Sequence, residues 1–163
     1  MDQMLGRPAM PLPMAPSSDA QKWSELPAKF TRHGANAEMR MQCFLMIRDR
    51  QERVAMAKLK DIEGWAFPAE TMRFNESPGQ AAARVATSWF TTPPRQVWLE
   101  RILSFPATGN EDNRWYVIFV YAAEAESDLT PTADTEEVRF VGMDAPPGEF
   151  AFSHADVWAA LRE

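Results

Sequence analysis

A run of residues beginning at Glu38 alternates apolar and polar side chains with the two-residue period of a β-strand. Its apolar members are Met39, Met41, Cys43, Leu45 and Ile47. We expect this one face to join a core, which makes Cys43 a buried, unreactive thiol. A polar turn at residues 49–52 and a second apolar run at residues 53–59 predict that the chain returns as an antiparallel hairpin.

The tetrapeptide Ser77-Pro78-Gly79-Gln80 has the features of a helix start. Serine is a typical N-cap, proline fits the first helical position, and a glutamine three residues after the cap completes a capping box. The predicted helix extends to about Phe90, because Pro93 and Pro94 cannot continue it.

Three later apolar runs predict strands, at residues 97–105, 115–122 and 138–141. The second of these runs is apolar on both faces, which is typical of a strand in the middle of a sheet that is covered on both sides. We therefore expect helices above and below the sheet. Ser153 and Asp156 are spaced to cap a helix at the C-terminal end.

The first residues differ in composition from the rest of the chain. Four prolines and four methionines fall within residues 1–16 and follow neither a helical nor a strand period, which predicts a flexible tail. Residues 17–37 are interpreted as an N-terminal extension, in which Ser17 or Ser18 is a candidate cap for a short helix. The folded domain is expected to span residues 38–163.

Length and composition limit the class of protein. With 163 residues, 45% of them apolar and 25% charged, the chain is typical of one globular domain rather than of a disordered or fibrous protein. Its longest apolar run has nine residues, whereas a membrane-spanning helix needs about 20, so we expect no membrane span. One cysteine excludes an internal disulfide and no signal-peptide pattern opens the sequence, which predicts a cytoplasmic protein.

The charge of the chain bears on its partners. A net charge of −6 opposes nonspecific attraction to nucleic acid and to anionic lipid. The acidity is concentrated near the C-terminus, since residues 121–163 carry 10 acidic and 2 basic side chains, whereas residues 1–120 carry 13 and 15. We therefore predict that neither nucleic acid nor a membrane is the partner.

The succession of elements and motifs resembles a Nudix hydrolase domain over about residues 38–161. The order is a hairpin, Trp-x-Phe-Pro, a loop glutamate, an Ala-Ala-x-Arg helix, two strands, Glu-x-x-aromatic and a closing helix. Members of this family carry a box written G-x5-E-x7-R-E-U-x-E-E-x-G-U, in which U is aliphatic, and they cleave nucleoside diphosphates linked to another moiety. The resemblance implies an α/β fold in which an α/β/α sandwich surrounds a mixed sheet.

Laid on this chain, the box places Glu70 at its first glycine, Glu76 at the loop glutamate and Arg84 at the arginine, with both spacings intact. The resemblance implies that Glu76 and Arg84 form a structural brace between the loop and the helix. The family's metal-binding carboxylates hold Mg²⁺ or Mn²⁺, and their positions are occupied here by Val85, Ser88 and Trp89. Because hard cations need oxygen ligands, we expect neither a bound metal nor a catalytic residue. Helical spacing places Val85 and Trp89 on the apolar stripe of the helix, where they fill part of the cleft.

Three functions remain open. The first is a Nudix-like pseudoenzyme that lacks pyrophosphohydrolase activity, needs no cofactor, and binds a nucleotide-like small molecule or a protein. The second is a divergent active hydrolase, in which displaced ligands for Mg²⁺ come from Glu70, Glu76, Glu100 or Glu137. The third is a structural subunit of a larger assembly. The first is favoured because the scaffold half of the box is present and its chemical half is missing. Neither the ligand nor the oligomeric state follows from the sequence.

Other chemical sites are disfavoured by number and spacing. Two histidines, His33 and His154, and one cysteine are too few and too scattered for a structural zinc site. Ser153, His154 and Asp156 fall within one helical turn, where their side chains diverge, so they indicate helix capping rather than a nucleophilic triad.

Overall fold

The computed structural model describes residues 38–105 and 114–163, which form six strands and two helices. In chain order these are β1 (Glu38–Arg48), β2 (Val54–Leu59), β3 (Ala69–Thr71), α1 (Pro78–Trp89), β4 (Trp98–Phe105), β5 (Arg114–Glu124), β6 (Thr135–Val141) and α2 (His154–Leu161). The predicted tail (residues 1–16) and extension (residues 17–37) lie outside the described residues. Within the described ranges, neither helix has the length and apolarity that crossing a membrane requires.

One mixed sheet organises the described part of the chain. Its strand order is β4-β5-β1-β2-β6, and the short β3 pairs with β1. The pairs β1–β2, β1–β3, β2–β6 and β4–β5 are antiparallel. At the carboxyl ends of β1 and β5, the Ala125 N–H donates to the Arg48 carbonyl oxygen at 2.9 Å, so these two strands run in the same direction.

The sheet has an apolar core on each side. Cys43, Leu45 and Ile47 of β1 pack with the buried residues of α1. Phe44 and Met46, on the opposite face of the same strand, pack with Val157 and Trp158 of α2 and with strand residues around them. The expected α/β/α sandwich is therefore confirmed.

The expectation that β1 buries one face only was wrong. Between Cys43 and Ile47 all five residues are buried, because the strand lies in the middle of the sheet with a helix on either side. Met39 and Met41, which share the face of Cys43, are exposed instead of joining the core. Alternation along β1 thus predicted correctly which side chains share a face, but not which of them are buried.

The two helix starts differ in how well the sequence predicted them. At α1 the capping box is confirmed: the Ser77 hydroxyl accepts from the Gln80 N–H at 3.1 Å, and the Gln80 side chain accepts from the Ser77 N–H at 2.9 Å. At α2 the helix is confirmed but the side-chain cap is not. The Ser153 side chain makes no capping hydrogen bond, and the Ser153 carbonyl accepts from the Asp156 N–H at 3.1 Å.

His154, the first residue of α2, is buried and ties the helix to the chain before β3. Its Nδ1 accepts a hydrogen bond from the Phe67 N–H at 3.0 Å. Its ring lies 4.6 Å from the ring of Phe44 and 5.5 Å from that of Phe152, measured between centroids. Burial lowers the pKa of His154 to about 4, so the ring is neutral at physiological pH.

The buried histidine predicts a pH-dependent stability. The unfolded chain takes up a proton near pH 6.5, whereas the folded chain resists it down to about pH 4, so stability is lost as the pH falls through that window. We expect the difference in unfolding free energy between wild type and His154→Asn to shrink by roughly 3 kcal/mol between these two pH values. Denaturant titrations of both proteins measure it, and a difference that is constant with pH would contradict the prediction.

Candidate functional site

Glu76 and Arg84 meet where the loop after β3 enters α1. Arg84 Nε donates to one carboxylate oxygen of Glu76 at 2.7 Å, and Arg84 Nη2 donates to the other at 2.9 Å. The pair is therefore bidentate, the strongest geometry between these two side chains. The structure thus brings the loop glutamate and the helix arginine into direct contact across eight residues of sequence.

The same guanidinium reaches two further acceptors. Arg84 Nη1 donates to the Glu70 carboxylate and Nη2 to the Thr71 carbonyl, each at 3.0 Å. Both acceptors belong to β3, so one side chain joins the helix, the loop and a strand. Glu76 also accepts from the Arg73 N–H at 2.8 Å, which closes the turn of the loop.

These contacts set the charge state of the pair. The hydrogen bonds from Arg84, and then that from the Arg73 N–H, lower the pKa of Glu76 to about 2. Glu76 raises the pKa of Arg84 in turn. Glu76 is an anion at neutral pH, and both of its oxygens already accept hydrogen bonds from the protein.

The three box positions that hold metal ligands in the family have different environments here. Val85 and Trp89 are buried in the core between α1 and the sheet. Ser88 is exposed, and its carbonyl accepts from the Thr132 hydroxyl at 2.9 Å. Two of the three positions that would present carboxylates to a cation are therefore apolar and packed against the sheet.

The carboxylates considered as displaced ligands do not gather at one place. Glu70 and Glu76 both contact Arg84, whereas Glu100 on β4 is held by Arg48 at 2.7 and 3.0 Å. Glu137 lies on β6, at the opposite edge of the sheet. Among residues 38–105 and 114–163, no three His, Cys, Asp or Glu side chains lie close enough together to hold a metal ion. The residues present do not fit the family's Mg²⁺ site.

Beside α1 the sheet carries an apolar surface that the sequence interpretation missed. The helix packs on the carboxyl-terminal halves of β1 and β5, and no described helix covers their amino-terminal halves on that side. By strand alternation this surface consists of Met39, Met41, Trp115, Val117 and Phe119. The two methionines are exposed and the other three side chains are half-buried. We call these five residues the open apolar face. Two features of the sequence could have predicted it, namely the alternation along β1 and the run in β5 that is apolar on both faces.

The open apolar face leads toward the first turn of α1. Tyr121 continues the row of β5 side chains, and its hydroxyl lies 3.8 Å from where a Cβ on Gly79 would be. Cys43 lies beneath the same turn, with its sulfur 4.0 Å from the Pro78 carbonyl oxygen. Burial raises the pKa of Cys43 to about 12, so the thiol stays protonated and unreactive.

Solved structures of Nudix proteins share this arrangement of strands and helices. A MutT Nudix hydrolase from Burkholderia pseudomallei superposes with a TM-score of 0.59 at 18% identity, over 75% of this chain and 97% of the hydrolase. A Nudix hydrolase from Nitrosomonas europaea gives 0.57 at 20% identity, over 77% of this chain and 72% of that one. The chain has the Nudix fold.

A third Nudix structure was solved with a ligand. It is the Nudix domain of NrtR from Shewanella oneidensis in complex with ADP ribose, with a TM-score of 0.57, 14% identity, and coverage of 85% of this chain and 96% of that domain. No protein-family model and no curated protein matches the sequence. The likeness therefore rests on the Nudix fold and not on sequence identity.

The Arg84 contacts predict a specific order of stabilities. We expect Arg84→Met to lower the melting temperature by several degrees, because it leaves the carboxylates of Glu70 and Glu76 without their cation and the loop without its tie. Arg84→Lys keeps the positive charge but not the planar fork of donors, so its melting temperature falls between those of the wild type and Arg84→Met. Thermal melts at neutral pH measure this order.

A matched control is Arg53→Met, which removes an ion pair at 2.7 Å between Asp49 and a half-exposed arginine side chain. Exposed pairs contribute little to stability, so this variant should melt close to wild type. Equal losses in Arg53→Met and Arg84→Met would show that the Arg84 fork has no special role.

Proposed function

We propose that this chain is a Nudix-fold module that binds a nucleotide-like small molecule and does not hydrolyse it through a divalent metal. The observation that carries the proposal is the burial of Val85 and Trp89 in the core, at two of the positions where the family has metal-binding carboxylates. The fold is retained while the chemistry of the box is absent.

The loss of metal chemistry is supported by the ligands that remain. Mg²⁺ takes oxygen ligands in near-octahedral geometry, and Ser88 offers a single hydroxyl. For Glu76 to bind a cation it would have to give up its bidentate contact with Arg84. A site built from displaced carboxylates would in addition have to bring together residues from opposite edges of the sheet. The divergent-hydrolase alternative is therefore the weaker of the two.

Binding of a nucleotide is supported by the open apolar face. A nucleobase has two flat apolar faces, which stack on aromatic rings and pack against methionine side chains. The first turn of α1, next to Tyr121, carries no acidic residue. Its Gln80 N–H is used by the capping box, so a phosphate there would be attracted by the helix dipole rather than by that donor. The ADP ribose in the Shewanella domain supplies a probe of this chemical class.

The cytoplasmic location of the protein stays a prediction.

The proposal predicts the absence of metal-dependent turnover. The full chain incubated with nucleoside diphosphate derivatives and millimolar Mg²⁺ or Mn²⁺ should release neither phosphate nor nucleoside monophosphate. Glu76→Gln serves as the control, because it removes the carboxylate at the loop-glutamate position of the box. Turnover by the wild type on the order of 1 per second that Glu76→Gln abolishes would mean that displaced carboxylates hold metal and that the chain is a hydrolase.

A second prediction concerns the binding surface. We expect ADP ribose to bind the full chain by isothermal titration calorimetry, and Met41→Glu to weaken binding about tenfold or more, because it places a negative charge on the open apolar face. Ile62→Glu is the matched control, since Ile62 is also exposed but lies in the loop after β2. Binding that both variants weaken equally would locate the ligand elsewhere, and no binding of any nucleotide probe would reject the module.

A further inference from the structure

The edge strand β4 exposes an unusual number of apolar side chains. Trp98, Leu99 and Ile102 are 44%, 46% and 55% exposed, and all three lie within one eight-residue strand. As the first strand of the sheet order, β4 also has one row of backbone N–H and C=O groups without a strand partner in the described sheet. Such an edge is a template for pairing with another chain unless it is protected.

The opposite edge of the same sheet shows what protection looks like. On β6 the exposed side chains are Glu136, Glu137 and Arg139, and charged side chains of this kind disfavour edge-to-edge pairing. The two charged residues of β4 do not serve in this way. Glu100 is held by Arg48, and Arg101 donates to the Ala160 carbonyl oxygen of α2 at 3.0 Å. The β6 edge thus exposes three charged side chains, two of which, Glu137 and Arg139, pair with each other at 2.9 Å. The exposed side chains of β4 include three large apolar ones instead.

We propose that β4 pairs antiparallel with β4 of a second copy of this chain, which makes one continuous sheet through a two-fold axis. A bulge between Leu99 and Arg101 interrupts the ladder with β5, so regular pairing is confined to residues 101–105. The axis then passes beside Leu103, the middle residue of that stretch. Ile102 lies opposite Ser104 of the partner subunit, on the side of the sheet that α1 covers.

Charge complementarity favours a second copy as the occupant. Each chain carries −6, which opposes association in general, but on this edge Glu100 is ion-paired with Arg48 and Arg101 is held by the Ala160 carbonyl oxygen. In the two-fold register no like charges face each other, since Arg101 lies opposite the partner's Phe105. Two-fold dimers with self-complementary surfaces are the commonest oligomers of soluble proteins.

The strand alone is smaller than a standard interface, which buries about 800 Å² on each partner. We therefore expect a weak dimer, with a dissociation constant in the micromolar range. Ile102 lies opposite Phe119 in the β4–β5 ladder, and the Trp115 indole donates to the Ser104 hydroxyl at 2.8 Å, so the edge continues into the open apolar face. A dimer formed here extends the apolar surface of each chain across the axis.

Sedimentation velocity of the full chain between about 1 and 100 µM tests the proposal, because dimers with micromolar dissociation constants assemble over this range. We expect a monomer–dimer equilibrium in the wild type and a dissociation constant raised about tenfold or more by Ile102→Lys, which guards the edge with a charge. Ile62→Lys makes the same change at an exposed isoleucine away from β4 and should dimerise as the wild type does. A wild type that is monomeric throughout, or an Ile102→Lys variant that dimerises unchanged, overturns the proposal.

A second measurement tests the register and does not depend on the lysine variant folding. Residues directly opposite in an antiparallel pair have Cβ atoms about 4.5–5.5 Å apart, close to the separation that a disulfide spans. We expect Ile102→Cys and Ser104→Cys chains, mixed under oxidised glutathione, to form a mixed disulfide dimer faster than either variant alone. The native thiol of Cys43 is fully buried and does not compete. Equal cross-linking in the mixture and in the separate variants overturns the register and, with it, the proposal.

Discussion

The arrangement of the site depends on one planar cation. Arg84 is the only side chain in the described hydrogen bonds that reaches the helix, the loop and β3 at once, because a guanidinium presents its donors in a fixed fork. The loop between β3 and α1 includes Asn75 in a left-handed conformation, which costs free energy unless its surroundings hold it. Bound through Thr71, Arg73 and Glu76, the loop has one geometry, and α1 enters the fold at a fixed angle to the sheet.

The Glu76 carboxylate is bound by the protein itself on both of its oxygens. Its three hydrogen bonds, two from Arg84 and one from the Arg73 N–H, fix the geometry of the loop before α1. The packing of α1 on the sheet depends on the sizes of its buried side chains. Ala81, Ala82 and Ala86 are small enough for the helix to approach the sheet closely, and the larger Val85 and Trp89 fill the remaining space.

The parts of the structure that could be predicted from sequence are those with a local signal. The capping box at Ser77 and the hairpin around residues 49–52 depend on neighbouring residues, and both are present. The spacing between Glu76 and Arg84 matches that of the Nudix box, and this match predicted the ion pair between the two side chains. Each of these three signals can be read from the sequence without knowing which other elements pack against the segment.

Predictions failed where tertiary packing decides the outcome. β3 has three residues, too few for any period, and it exists because β1 offers it a partner. Burial of Phe44 and Met46 follows from α2 lying on the second face of the sheet, which alternation in β1 alone does not reveal. Ser153 has the spacing of a cap, yet its backbone rather than its side chain serves the first turn of α2. The open apolar face likewise depends on where α1 begins on the sheet.

The single cysteine makes the protein its own reporter of local opening. Cys43 is fully buried beneath the first turn of α1, and its raised pKa adds chemical protection to the steric protection. A thiol reagent can therefore modify it only when α1 lifts from the sheet or the whole chain unfolds. Alkylation rates, followed as a function of denaturant concentration, would separate these two events, because whole-chain unfolding depends on denaturant more steeply than local opening does. They would give the free energy of opening at the place where the loop, the helix and the sheet meet.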